Sequence, residues 1–396
     1  MRISACIAAL VAVASVQASA IPVGKTNVEK GFSVSLHNNP SYKPNAKRQI
    51  IRGWHKYQRF ANSTRIGNID VGTIPVTDEQ NDVEYYGNVK VGTPGVTFKL
   101  DFDTGSSDLW FPYTGCSSTC KGKTEYNPTK SSSYKKDGRP WSITFGDGSS
   151  SSGILAADTV NLGGLAIKGQ TIGMAKTISS SFTSDVIDGL MGLGFDSITT
   201  VAGVKTPVDN LISERLISKP YFGVFLGKAT NGGGGEYTFG GYDSSKVGGK
   251  LTTVPVDNSQ GCYWGITVSS VAAGTSKESG SFSAILDTGT TLLLFTNSVA
   301  KKVAAKYKAT DNGDGTYNIG CQASALSDLT FTISGATFKV PASDLIFQKN
   351  TDGTCMASFG YAGLSFAILG DVFIKNNYII FDQTVPQVQI APLAGL

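Results

Sequence analysis

Two short segments hold the residues best able to do chemistry, Asp103-Thr104-Gly105-Ser106-Ser107 and Asp287-Thr288-Gly289-Thr290-Thr291. Each follows an apolar run, which ends in Phe102 in the first case and comprises Ala284, Ile285 and Leu286 in the second. A single Asp-Thr-Gly is weak, because a chain of this length carries one by chance about one time in ten. Two with matching flanks form a repeat. Aspartate at a strand-to-turn junction presents its carboxylate outward, glycine lets the backbone turn tightly and approach its counterpart, and the hydroxyls that follow are placed to donate to the carboxylates. If a pseudo-twofold axis relates the segments, Asp103 and Asp287 meet. Two touching carboxyls cannot both ionise cheaply, so they share one proton over an acidic range and titrate as a unit. Such a pair can hold a water, deprotonate it and protonate a carbonyl oxygen opposite, which is peptide hydrolysis without histidine, metal or covalent intermediate.

The elements that must position these residues are mostly strands. Val96, Phe98, Leu100 and Phe102 alternate with Thr97, Lys99 and Asp101, a period of two that places Asp103 at the end of a half-buried strand. Further strands are expected at Tyr221 to Leu226, Glu236 to Phe239, Leu251 to Val256 and Val388 to Pro392, separated by glycine-bearing turns. Helical spacing is confined to Val208, Leu211, Ile212 and Leu216 after Pro207, and to Val299, Val303 and Tyr307 after Thr296-Asn297-Ser298. Leu190-Met191-Gly192 ends 89 residues after Asp103, and Ile368-Leu369-Gly370 ends 83 after Asp287. The repeated layout predicts an all-β chain of two similar lobes, residues 70–245 and 246–396, joined near Tyr242 to Gly249. Glycine at about 12% and charged residues at 16% fit many tight turns.

The net charge of +4 is unevenly placed. Residues 1–20 carry Arg2, an apolar run from Ile3 to Val16 and small residues at Ala18, Ser19 and Ala20, which reads as a cleaved export signal. Before Asp70 there are ten bases and one acid, Glu29; from Asp70 onward there are 24 bases and 29 acids. The basic segment 21–69 on an acidic body reads as an internal electrostatic partner, with a solvated disordered tail as the alternative. Both histidines, His37 and His55, lie in that leader. Once it is removed, histidine-dependent nucleophiles and histidine-ligated metals are excluded. No cofactor, metal, nucleic acid or membrane is implied, and a monomer acting on polypeptides is expected. Of five cysteines beyond Cys6, Cys116 and Cys120 are close enough to close a small loop, Cys321 and Cys355 are placed to bridge the C-terminal half, and Cys262 is left as a buried, inert thiol or a reactive one.

Residues 70–396 resemble the pepsin-like aspartic proteases, in particular the secreted fungal endopeptidases. The resemblance rests on both aspartate motifs and on Asp188-Gly189-Leu190-Met191-Gly192-Leu193-Gly194, Ile368-Leu369-Gly370-Asp371, Asn376-Asn377-Tyr378 and the ending Val388-Gln389-Ile390-Ala391-Pro392. It implies a bilobal β fold with a long cleft, and acid cleavage of polypeptides with a preference for large apolar side chains. Asp103 and Asp287 would be catalytic, Thr104, Thr288 and Trp110 supporting, and Gly105, Ser106, Gly289, Thr290 and Thr291 would border the substrate. Trp141 to Ser149 looks like the family's flap, with Phe145, Gly146 and Asp147 facing substrate. Phe145 departs from the tyrosine usual in similar members and lacks the hydroxyl that would bond toward Trp110, so flap closure is expected to be looser. Asp147 either pairs with a substrate lysine or is a solvated turn residue. Lys56-Tyr57 resembles the propeptide pair of the family, and Lys56 would set its ammonium between Asp103 and Asp287; Lys47 is the second candidate and a surface lysine the alternative for each.

Three other signals carry less. Gly232 to Gly235 reads as a hairpin turn, because no phosphate-loop lysine follows. Asp311-Asn312-Gly313-Asp314-Gly315 reads as a turn, because calcium-ligand spacing is missing. Asn62-Ser63-Thr64 is a glycan acceptor sequence within the leader. Competing readings are a catalytically impaired binding protein of the same fold, against which two intact motifs argue, and a two-carboxylate glycosidase, which the paired motifs do not favour.

Overall fold

The computed structural model describes residues 32–38, 45–57, 84–145, 149–231, 233–257 and 262–395. In chain order the first elements are strand β1 (Phe32–Asn38), helix α1 (Ala46–Lys56), and strands β2 (Tyr85–Val91), β3 (Val96–Asp103), β4 (Leu109–Pro112), β5 (Lys135–Thr144), β6 (Ser150–Leu162), β7 (Leu165–Ile178) and β8 (Gly189–Gly192). Strand β3 is the one specified by alternation. Phe98, Leu100 and Phe102 are fully buried on one face, while Lys99, Asp101 and Asp103 take the other.

Two sheets organise the described residues, one of thirteen strands and one of eleven. The fold is bilobal and mostly β. The larger sheet runs from Thr252–Pro255 through the C-terminal hairpin Gln387–Pro392 and Asn377–Asp382 to Tyr221–Leu226 and Gly235–Phe239, and then through β1, β2, β3, β8, β4, β7, β6 and β5. It therefore takes strands from both ends of the chain. The smaller sheet holds Phe282–Leu286, which carries Asp287 at its end, beside Ala367–Leu369. Apolar side chains from both halves merge in one core, where Trp264 packs against Phe195, Phe222 and Phe381 and donates its indole N–H to the Leu193 carbonyl at 3.1 Å. A partly buried ion pair between Lys228 and Asp344, at 2.8 Å, also joins early and late parts of the chain.

The repeat has a structural basis. β8 runs parallel beside β3 with Gly192 opposite Asp103, and Ala367–Leu369 runs parallel beside Phe282–Leu286 with Leu369 opposite Leu286. A methyl group on Gly192 would collide with the backbone of Ser107, and one on Gly370 with the carbonyls of Thr290 and Leu292. Each glycine thus allows a returning strand to press against an Asp-Thr-Gly turn.

Helices form at Pro207–Ser213, started by a Thr206/Asp209 capping box with proline in the first turn, and at Asn297–Lys306 after Thr296. Leu216 and Tyr307 fall just beyond them. The segment after Lys228 closes the hairpin between Tyr221–Leu226 and Gly235–Phe239, with Gly232 outside the described residues. Residues 311–315 turn between Thr310–Asp311 and Thr316–Ile319. Cys116–Cys120 and Cys321–Cys355 are disulfides. Cys262 corrects the expectation of a leftover thiol, since none of the described cysteines is free.

The leader is no detached tail where it is described. β1 pairs antiparallel with both Gly235–Phe239 and β2, inside the larger sheet. Charge counting missed this strand, although Phe32, Val34 and Leu36 alternate with Ser33, Ser35 and His37.

Gly370→Ala is expected to lower stability by about 3 kcal/mol, because rigid backbone rather than a side chain must yield. Gly280→Ala, where an added methyl meets nothing within 4 Å, serves as the control in thermal melting. Equal midpoints for the two variants would refute the close approach.

Candidate active site

The two Asp-Thr-Gly turns grip each other. The Thr104 N–H donates to Thr288 Oγ1 at 2.9 Å and the Thr288 N–H donates to Thr104 Oγ1 at 3.0 Å. Each hydroxyl then donates across the seam, Thr104 to the Leu286 carbonyl at 3.0 Å and Thr288 to the Phe102 carbonyl at 2.6 Å. The four atoms are buried, so water cannot replace these bonds.

Within each turn the same pattern holds a carboxylate. Asp103 accepts from the Gly105 N–H at 2.8 Å and the Ser106 hydroxyl at 2.6 Å; Asp287 accepts from the Gly289 N–H at 3.0 Å and the Thr290 hydroxyl at 2.6 Å. The glycines face the opposite aspartates: a methyl on Gly105 would strike the Asp287 carboxylate, and one on Gly289 the Asp103 carboxylate. Thr291 is buried behind this turn, while the Ser107 hydroxyl turns away to the Phe195 carbonyl at 2.7 Å.

One ammonium touches both carboxylates. Lys56 Nζ lies 2.8 Å from Asp103 Oδ1, and 2.9 and 3.1 Å from Asp287 Oδ1 and Oδ2. The Tyr57 hydroxyl donates to Asp287 Oδ2 at 2.8 Å. Lys47 is elsewhere, 3.8 Å from Asp314 Oδ2. Helix α1 reaches the pair because Ala46, Ile50 and Tyr57, with Trp54 partly buried beside them, form an apolar stripe against Leu292, Leu294, Leu364 and Phe366. That helical spacing, Ala46, Ile50, Trp54 and Tyr57, is present in the sequence.

Burial and charge split the pair. Burial and the neighbouring Asp287 charge push Asp103 above the ordinary carboxylate range, against the pull of Lys56. Burial acts on Asp287 in the same direction, but the Lys56 charge and the Thr290 hydroxyl outweigh it and hold Asp287 below that range. Lys56 is itself raised, because the two aspartates outweigh its burial.

Two further acids lie close by. Asp101, on the face of β3 that carries Asp103, is pushed up to about 8 by burial and then by the Asp103 charge. Asp371, absent from the sequence-derived site, is pushed well above its usual range by burial and by Asp101 and Asp287, and its Oδ1 has no hydrogen-bond partner among the described residues.

Strands β5 and β6 form the expected hairpin, with Thr144 opposite Ser150 and the Phe145 N–H donating to the Ser149 carbonyl at 2.7 Å. Its tip, including Gly146 and Asp147, lies outside the described residues. The Phe145 ring sits 6.0 Å from Trp110 and 5.2 Å from Phe182 in a buried aromatic cluster. The Trp110 indole N–H is buried and has no partner among the described residues. A hydroxyl is the group that phenylalanine lacks.

Fold and site together define a two-lobed β hydrolase built on a carboxylate pair across a pseudo-twofold seam. Residues 84–393 match the family described as Eukaryotic aspartyl protease. The chain is 58% identical over 395 residues to Rhizopuspepsin-2 of Rhizopus niveus, covering 99% of each chain, and 54% identical over 399 residues to Syncephapepsin of Syncephalastrum racemosum, again covering 99% of each. The solved aspartic proteinase from Irpex lacteus superposes with a TM-score of 0.69 at 30% identity, over 79% of this chain and 95% of that one. The chain belongs to the eukaryotic aspartyl protease family and is a peptide hydrolase.

Phe145→Tyr is expected to preserve or raise kcat/KM, by about fivefold at most, since a phenolic oxygen would accept from the Trp110 N–H, which has no partner among the described residues. A large loss would show that the cluster is built around phenylalanine. Asp101→Asn addresses stability instead. With a folded value of about 8 against an ordinary 3.8, folded Asp101 keeps a proton that the unfolded chain releases, so stability falls as pH rises between those values. The asparagine variant is expected to flatten that decline in melting temperature; an unchanged slope would show that Asp101 does not cause it.

Proposed function

We propose that the protein is an exported acid endopeptidase, made as a zymogen and acting as a monomer, in which Asp103 and Asp287 activate a water between them. The observation that carries this reading is the single ammonium of Lys56 within hydrogen-bond distance of both carboxylates. A group the size of a water that touches both oxygens there can be deprotonated by one carboxylate while the other, protonated, donates to the substrate carbonyl oxygen. The water oxygen bonds to the carbonyl carbon, the resulting diol collapses, the C–N bond breaks and the leaving nitrogen takes a proton from the pair. Thr104 and Thr288 fix the seam, and Gly105, Ser106, Gly289, Thr290 and Thr291 border the substrate. Phe145, with Gly146 and Asp147, covers it; Asp147 would admit lysine beside large apolar side chains. Residues 70–245 and 246–396 serve as the lobes, with the larger sheet joining them.

Segment 21–69 acts as an intramolecular inhibitor through Lys56 and Tyr57. Asp103, held above the ordinary range, protonates first as pH falls. Asp287, held below it, keeps its stabilising charge until the pH drops through its lowered value. The clamp therefore loosens in weak acid and opens fully only below about pH 4, the ordinary aspartate range. The apolar start of the chain supports secretion, and among the described residues no helix is long and apolar enough to cross a membrane.

Asp103→Asn and Asp287→Asn are each expected to cut hydrolysis of a denatured protein substrate by about a thousandfold. Activity surviving either change would end the dyad reading. Lys56→Met leaves two buried carboxyls without their cation and is expected to shift leader loss toward neutral pH, followed by intact mass and N-terminal sequencing. A variant that retains its leader and its inhibition at neutral pH, as the parent does, would eliminate Lys56 as the clamp.

A further inference from the structure

Beyond the carboxylate pair, the far end of helix α1 rests on a second contact area that the reaction does not use. The turn between Thr310–Asp311 and Thr316–Ile319 lies beneath it. A methyl added to Gly315 would come within 2.6 Å of Ile50 Cγ2, and one added to Gly360 within 2.5 Å of Ile50 Cδ1, so these two glycines are what let a side chain of the leader sink fully into the wall. Immediately beyond, Asp314 aims Oδ2 at Lys47 Nζ across 3.8 Å, with 25% and 35% of the two side chains exposed. Its other oxygen accepts from the Thr316 N–H at 3.1 Å and the Thr316 hydroxyl at 2.6 Å, which fixes the carboxylate's direction.

The spacing from the reacting pair follows from helix geometry. Lys47 and Lys56 are nine residues apart on α1, roughly 13 Å along its axis. An extended peptide covers that distance in about four residues. When the leader departs, the glycine floor and the Asp314 carboxylate face the space it occupied.

We propose that Gly315, Gly360 and Asp314 form a remote substrate subsite that favours a lysine or arginine side chain about four residues from the bond cut. The leader fills this subsite with Ile50 and Lys47, as it fills the space between the carboxylates with Lys56. The inference rests on the reading of the leader as an occupant of the substrate's path. It adds a charge preference set by residues far from the chemistry.

The test uses the mature protein and a panel of otherwise identical peptides carrying lysine or norleucine at single positions, two to six residues to either side of the cleaved bond. The assay is run at low ionic strength and about pH 5, above the ordinary carboxylate range. One position should show lysine preferred by about threefold in kcat/KM, as suits a partly exposed ion pair, with the gain lying in KM. In Asp314→Asn, which keeps an oxygen for Thr316, the lysine-to-norleucine ratio should fall to about one. A panel that is cleaved with no lysine preference, or with a preference that survives Asp314→Asn, overturns this subsite alone. A protein that cleaves none of the peptides overturns the peptidase reading and the subsite with it.

Discussion

Two carboxylates held side by side, out of water, are the constraint around which the chain is arranged. Each is costly to bury charged, and the second more so beside the first. The structure meets that cost locally, with one backbone N–H and one hydroxyl aimed at each carboxylate, and globally, with the reciprocal threonine grip that stops the two turns drifting apart. What remains is about one unit of uncompensated charge. With the leader in place the Lys56 ammonium offsets it; in the proposed mature enzyme a shared proton would do so. Ammonium and proton would thus compete for one electrostatic role, which under the proposed function ties inhibition and catalysis to the same acid titration.

The repeat is symmetric in its hydrogen bonds and asymmetric in its surroundings. Two residues before the first aspartate stands Asp101, where the second half has Ile285; one residue after the second returning glycine stands Asp371, where the first half has Leu193. All four side chains are buried. Each half therefore replaces an apolar core residue with an acid at a different point, and both acids couple to the pair and to each other. Asp287 also receives the Tyr57 hydroxyl, which Asp103 does not. With the leader in place, the two matching turns consequently acquire different proton affinities, so the two carboxylates protonate at different points as pH falls.

The carboxylate pair was legible because it is encoded twice, and the second glycine of each half because its spacing repeats. Lys56 was legible from its resemblance to a known pair, since no local pattern says where a lysine's ammonium will lie. Phe145 was legible as a departure, but the Trp110 N–H beside it, without a partner among the described residues, needed the packed cluster to be seen. Asp371 escaped because nothing near it in sequence marks it as acidic among acids; only long-range packing brings it near Asp101 and Asp287. Strand β1 escaped for a different reason. The leader's basic charge dominates its composition, and charge is blind to the period-two alternation that seats Val34 and Leu36 in the sheet.

That strand changes what acid must accomplish. Protonating the carboxylates removes the reason for Lys56 to stay, yet β1 remains registered against Gly235–Phe239 on one side and β2 on the other. Those backbone bonds do not titrate. Withdrawing β1 leaves two neighbouring strands with open hydrogen-bonding edges inside the larger sheet, a cost independent of pH. In the proposed zymogen, release of the leader would therefore couple a charge switch at α1 to an opening of the sheet. On the proposed reading, acid alone would uncover the carboxylates while β1 stayed paired, so full release of the leader needs both the charge switch and the opening of the sheet.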